Sequence, residues 1–103
     1  MSYMMNYILK DKEAIAEPDT LKWCKWFENA DRQIALDRIG DSRISTVFLG
    51  IDHSFIYKGT PILFETMIFG GKRDGYQARY CTWIEAMEGH LEMIKIVTKE
   101  SLK

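Results

Sequence analysis

Ile44-Ser45-Thr46-Val47-Phe48-Leu49-Gly50-Ile51 and Ile62-Leu63-Phe64-Glu65-Thr66-Met67-Ile68-Phe69 are two apolar, β-rich segments joined through Asp52-His53-Ser54-Phe55. Together they read as the central hairpin of a sheet with a polar cluster at its tip. In a strand successive side chains face opposite ways, so Arg43, Ser45, Val47, Leu49 and Ile51 share one face, and Ile44, Thr46, Phe48 and Gly50 the other. Both faces are largely apolar, which predicts a central strand covered on both sides.

The elements on either side follow from local chemistry. Tyr3 to Leu9 alternates loosely, as an edge strand does, and the charged stretch Lys10 to Glu17 leads into Pro18-Asp19-Thr20. Asp19 or Thr20 can cap a helix from about Leu21 to Ala30. Gln33 to Ile39 reads as a strand turned by Gly40-Asp41 into the strand Ser42 to Ile51. Lys58-Gly59-Thr60-Pro61 turns the chain into the next strand, and Phe69 to Tyr76, with three glycines around a charged tip, turns it into Tyr76 to Cys81. Thr82-Trp83-Ile84-Glu85 has capping-box form, so the last helix starts there. It is expected to reach about Thr98 with the stripe Ile84, Met87, Leu91, Ile94 and Val97 or Thr98 turned inward, and with Gly89 marking a close packing contact.

The expectation is an α+β fold: a mainly antiparallel sheet of about five strands and two helices in the order β-α-β-β-β-β-α. A chain of 103 residues suits a single domain spanning 1–103. Two helices in so short a chain hardly cover two sheet faces, so a second subunit is the expected other cover.

Bulk composition narrows the partners. The 14 basic and 15 acidic residues are interspersed, without the positive stripe that duplex nucleic acid favours. A small anionic ligand needs only two or three local cations. Cys24 and Cys81 stand far apart with no metal-ligand spacing and read as reduced thiols. No apolar run approaches the ~20 residues of a membrane span, and the N-terminus lacks a signal-peptide pattern, so a cytoplasmic protein is expected.

Several residues are candidates for chemistry. Glu65 sits mid-strand among apolar neighbours, and a buried carboxylate needs a partner. Arg38, Arg43 and Arg79 on neighbouring strands can supply one, locking the sheet; alternatively Glu65 lines a ligand pocket. Asp52-His53-Ser54 is no triad, because three consecutive side chains cannot converge on one another, and the tip is better read as organising the turn with His53 near a ligand. No metal-ligand motif of the HExxH kind is present, and no cofactor is expected. Gly70-Gly71-Lys72-Arg73 can cradle a phosphate or be a plain hairpin turn. Tyr76, Tyr80 and Trp83, beside Arg73 and Arg79, form the densest run of rings and cations, suited to stacking a base. His90 reads as a boundary residue of the last helix. The aromatic helix carrying Trp23 and Trp26 either packs on the sheet and a loop or faces a partner.

The blocks STVFLGIDHSF (Ser45 to Phe55), PILFETMIFGG (Pro61 to Gly71), YQARYCTWIEAMEGH (Tyr76 to His90) and KWCKWFE (Lys22 to Glu28) resemble small phage-encoded proteins of about this length. The pattern is similar to the anti-CBASS sponge proteins, which implies an oligomer that sequesters a cyclic dinucleotide such as 3′3′-cyclic GMP-AMP without cleaving it. The ligand-binding residues inferred from residue chemistry and predicted location are Arg73, Tyr76, Arg79, Tyr80, Trp83, His53, Glu65 and Arg43. Two further readings are a small hydrolase or lyase using His53 and Glu65, and a protein inhibitor docking a host factor through the Trp23/Trp26 helix.

Overall fold

Strand β4 (Ser42–Phe48) alternates perfectly between buried and half-buried positions, and this pattern sets the architecture. A computed structural model of the chain describes residues 5–54 and 59–102. Tyr3, Met4, Phe55 and Lys58, which the sequence reading assigned to the first strand and to the connections before the fourth, lie outside the described residues.

Strands β3 (Gln33–Ile39), β4, β5 (Phe64–Phe69) and β6 (Gln77–Tyr80) form an antiparallel sheet in sequence order. Ile44, Thr46 and Phe48 of β4 lie opposite Ile68, Thr66 and Phe64 of β5, so one face of the sheet is set by these three cross-strand pairs. Helix α2 (Trp83–Ser101) lies across that face. Two apolar clusters result, Ile44, Ile68, Met93 and Val97 at one end, Phe48, Leu63, Phe64 and Ala86 at the other. Each fully buried Phe or Ile in them contributes about 1.5–3 kcal/mol. The α+β class with a mainly antiparallel sheet and two helices is therefore what the chain forms.

The N-terminal third differs from expectation. Strands β1 (Tyr7–Lys10) and β2 (Glu13–Ala16) make a separate two-stranded hairpin, so among the described residues the order is β-β-α-β-β-β-β-α, with six strands rather than about five. The charged residues of the Lys10 to Glu17 stretch hid β2, and Asp11 and Lys12 form its two-residue turn in left-handed conformation, at φ 51° and 68°. Helix α1 (Thr20–Asn29) is capped by the Asp19 side chain, which accepts from the Leu21 and Lys22 amides. Its rings are used inside the chain. Trp23 Nε1 donates to the carbonyls of Tyr7 (2.9 Å) and Gly50 (3.2 Å), and Trp26 meets Phe48 edge-on with centroids 5.8 Å apart. Hairpin and α1 extend the molecule to 50 × 29 × 20 Å, with a radius of gyration of 15.1 Å. A compact chain of this length has about 13 Å.

The stripe of α2 also needs correction. Ala86, His90, Met93 and Val97 are its buried residues, whereas Ile84 is 69% and Leu91 51% exposed. The helix is rotated relative to the most apolar reading because its inner face accepts a small residue and a histidine, which an apolar stripe does not score. The capping box at Thr82 and Glu85 is formed as expected. No described helix is long and apolar enough to cross a membrane.

Gly89 is the close contact anticipated on α2, since a Cβ there would land inside the Tyr80 side chain. Gly89→Ala should therefore destabilise the protein by about 1–2 kcal/mol, because overpacking outweighs the gain of ~1 kcal/mol in helix propensity. Urea unfolding reads the sign directly: a stabilised variant would contradict this packing.

Candidate functional site

Across the sheet, the face turned away from α2 is covered by no described element. Cross-strand partners point to the same side of a sheet, so the register defines three rows of side chains on it. Gln33, Val47, Glu65 and Arg79 form one row. Leu36, Ser45, Met67 and Gln77 form the next. Arg38, Arg43 and Phe69 form the third. The face thus carries three arginines against one carboxylate, set among apolar side chains.

The two ends of this face are electrostatically different. At the β6 end Glu65 is compensated: its Oε2 accepts from Arg79 Nε at 2.9 Å and from the Gln77 amide. Of the partners anticipated for Glu65, Arg79 is the one in place. At the β3 end Arg38 and Arg43 stand directly opposite each other, and like charges so placed repel. Arg43 lies over the ring of Phe69, its guanidinium carbon 4.6 Å from the centroid, and its Nε is buried with no hydrogen-bond partner. Neither arginine has a carboxylate partner among the described residues.

Of the eight sequence-derived candidates, then, Arg43, Glu65 and Arg79 share this face and the other five lie elsewhere. Tyr76 and Tyr80 point from the opposite face of β5–β6 into the two core clusters beneath α2. Burial, offset in part by the Thr66 hydrogen bond, holds the Tyr80 phenol above its ordinary range. Arg73 bonds Glu100 on the last turn of α2 at 2.8 Å. Trp83 opens α2, edge-on to Phe64 with centroids 6.5 Å apart. His53 sits in the connection after β4, where its amide donates to the Ile62 carbonyl at 2.9 Å. Asp52 organises that turn by accepting from the amides of Ser54 (2.8 Å) and Ile62 (2.9 Å). The dense run Arg73 to Trp83 is close in sequence only: strand alternation puts its rings and Arg79 on opposite faces. Gly70 to Gly75 turns the chain from β5 to β6, the Gly70 amide donating to Asp74 Oδ1 at 2.6 Å.

Sequence reasoning missed a polar chain in the core. Asp37 Oδ2 lies 2.7 Å from His90 Nε2, His90 Nδ1 lies 2.7 Å from Thr46 Oγ1, and Thr46 Oγ1 lies 2.5 Å from Thr66 Oγ1. The composition is that of an Asp-His-Thr triad. Thr46 and Thr66 are fully buried and His90 is 1% exposed, so no substrate reaches the hydroxyl in this conformation. The chain satisfies polar groups where the sheet meets α2. A carboxylate accepts only, so Nε2 of His90 is the donor to Asp37, and in the tautomer protonated there alone Nδ1 accepts the Thr46 hydroxyl. The sequence signal was two threonines in the middle of strands that otherwise read as apolar core.

No family model, curated protein or solved structure matches the chain.

Replacing Thr46 by Val strands His90 Nδ1 and leaves the Thr66 hydroxyl only its Tyr80 partner, at a cost of about 2 kcal/mol in denaturant unfolding. In wild type, ¹⁵N NMR of the neutral ring should report protonation at Nε2, and signals of the other tautomer would refute this direction of hydrogen bonding. The thiols offer a second check. Burial, then the charges of Glu85 and Asp52, push the Cys81 thiol up, while Cys24 is exposed. A raised pKa means less thiolate at a given pH, so iodoacetamide at pH 8 should alkylate Cys24 several-fold faster.

Proposed function

We propose that this chain is a phage-type immune-evasion protein that binds and sequesters a cyclic dinucleotide, of which 3′3′-cyclic GMP-AMP is an example, without cleaving it. The ligand lies on the uncovered sheet face, between that face and the same face of a second copy, in the cytoplasm of the infected cell. The observation that carries this reading is the Arg38–Arg43 pair, with Arg43 resting on the Phe69 ring. Two cations placed opposite one another without a carboxylate are relieved by an anion, and charge-assisted hydrogen bonds to phosphate are among the strong ones, at about 1.5–3 kcal/mol. The apolar neighbours Leu36, Val47, Met67 and Phe69 provide surface for bases and for the second subunit. Two such faces brought together without an anion would set arginine against arginine, so ligand and assembly support one another. The cyclic-dinucleotide class itself comes from the resemblance to the anti-CBASS sponges.

The other readings have less support. Glu65 as an acid or base would first have to leave Arg79 and Gln77. Trp23 and Trp26 as a docking surface are already engaged with Tyr7, Gly50 and Phe48.

Calorimetry with a panel of cyclic di- and trinucleotides tests the proposal. Binding to at least one is expected, with ligand recovered unchanged and mass doubled by light scattering. Arg43→Gln should weaken it tenfold or more, the equivalent of about 1.4 kcal/mol. Arg73→Gln, remote from the face, should leave it unchanged. A panel without a binder sinks the idea.

A further inference from the structure

A cavity of about 260 Å³ opens between the tip of the β1–β2 hairpin and the start of α2. Its size is near the lower end of small-ligand sites, about 300 Å³. The rings of Tyr7, Phe64 and Trp83 wall it, and Lys12 and Glu13 from the hairpin reach it. Lys12 places its ammonium 5.8 Å from the centre of the Trp83 ring, within the distance at which a cation is held by an aromatic face.

Two features show what kind of group the cavity prefers. First, apart from Lys12 itself the only charged side chain lining it among the described residues is the carboxylate of Glu13, and Glu85 stands beside it. Glu85 Oε1 accepts from the amides of Cys81 and Thr82, both of which line the cavity as well. The positive end of α2 is thereby already answered by Glu85. Burial and then the fields of Glu85 and Asp52 raise the Cys81 thiol, and burial and then Asp52 raise the Tyr7 phenol. Second, the hairpin turn is built against local preference. Asp11 and Lys12 both adopt left-handed backbone in a two-residue turn where glycine is favoured. That conformation is what carries Lys12 over Trp83.

The geometry points to this cavity as a binding site for an alkylammonium cation, with Lys12 as its tethered occupant in the free protein. Aromatic walls with carboxylates nearby are the chemistry that recognises ammonium groups. Lys12 is exposed and held by the ring contact alone among the described interactions, so an external cation can displace it. The site is independent of the sheet-face reading, since its one sheet residue, Phe64, faces the α2 side and the ligand takes the opposite charge.

Lys12→Gly removes the tethered cation and suits the left-handed turn, so the variant keeps the hairpin. NMR titration of the Trp83 indole, assigned with Trp83→Phe, would be run with tetramethylammonium and with Nα-acetyl-lysine amide, against sodium chloride of equal ionic strength. The two cations separate a free ammonium ligand from a protein lysine side chain. Saturable shifts with either, at least threefold tighter in Lys12→Gly than in wild type, are the expected result. Shifts no larger than those of the salt control in both proteins, or equal affinity in the two, would overturn the inference.

Discussion

One helix covers one face of a four-stranded sheet and no more, and most of this protein's features descend from that. β4 alternates so that Ile44, Thr46 and Phe48 meet α2 while Arg43, Ser45 and Val47 turn away. Everything beneath the helix must be satisfied by the sheet and the helix together. Everything above is left to a ligand, a partner or water. The elongated shape has the same origin, because the β1–β2 hairpin and α1 extend the molecule at one end without crossing the exposed face.

Beneath the helix the solution is partly polar. Thr46 and Thr66 are directly opposite each other on β4 and β5, Asp37 comes from β3 and His90 from α2, so one hydrogen-bonded chain ties three strands to the helix. A slip of one residue in any of these strands would turn its polar side chain to the other face and leave the rest unpaired in the core. A purely apolar interface lacks that penalty. The chain is therefore a register device as well as a source of stability, and its fully buried hydroxyl sets it apart from the catalytic triad its composition suggests.

Above the sheet the chemistry is unevenly compensated. Glu65, Arg79 and Gln77 form a closed group at one end, while Arg38, Arg43 and Phe69 form an open one at the other. The sequence showed that Glu65 needed a partner, but three arginines were equally eligible. Register decided for Arg79, because it is the residue facing Glu65 on β6. Register also set Arg38 against Arg43, a juxtaposition of residues on two strands that no local pattern expresses.

Local interactions were legible in the chain itself. The caps at Asp19 and Thr82–Glu85, the Gly40-Asp41 and Gly70–Gly75 turns, the strand alternation of β4 and the tight contact at Gly89 each depend on a few neighbouring residues or on backbone geometry. The α+β class followed from them. Tertiary structure alone decided which face of α2 is buried, because Ala86 and His90 are chosen by what lies opposite them. It alone separated Arg79 from Tyr76 and Tyr80, and brought Lys12 over Trp83 and Asp37 to His90. Periodicity predicts the faces of an element. Which faces meet depends on the free energy of bringing distant segments together, and that is a property of the whole fold.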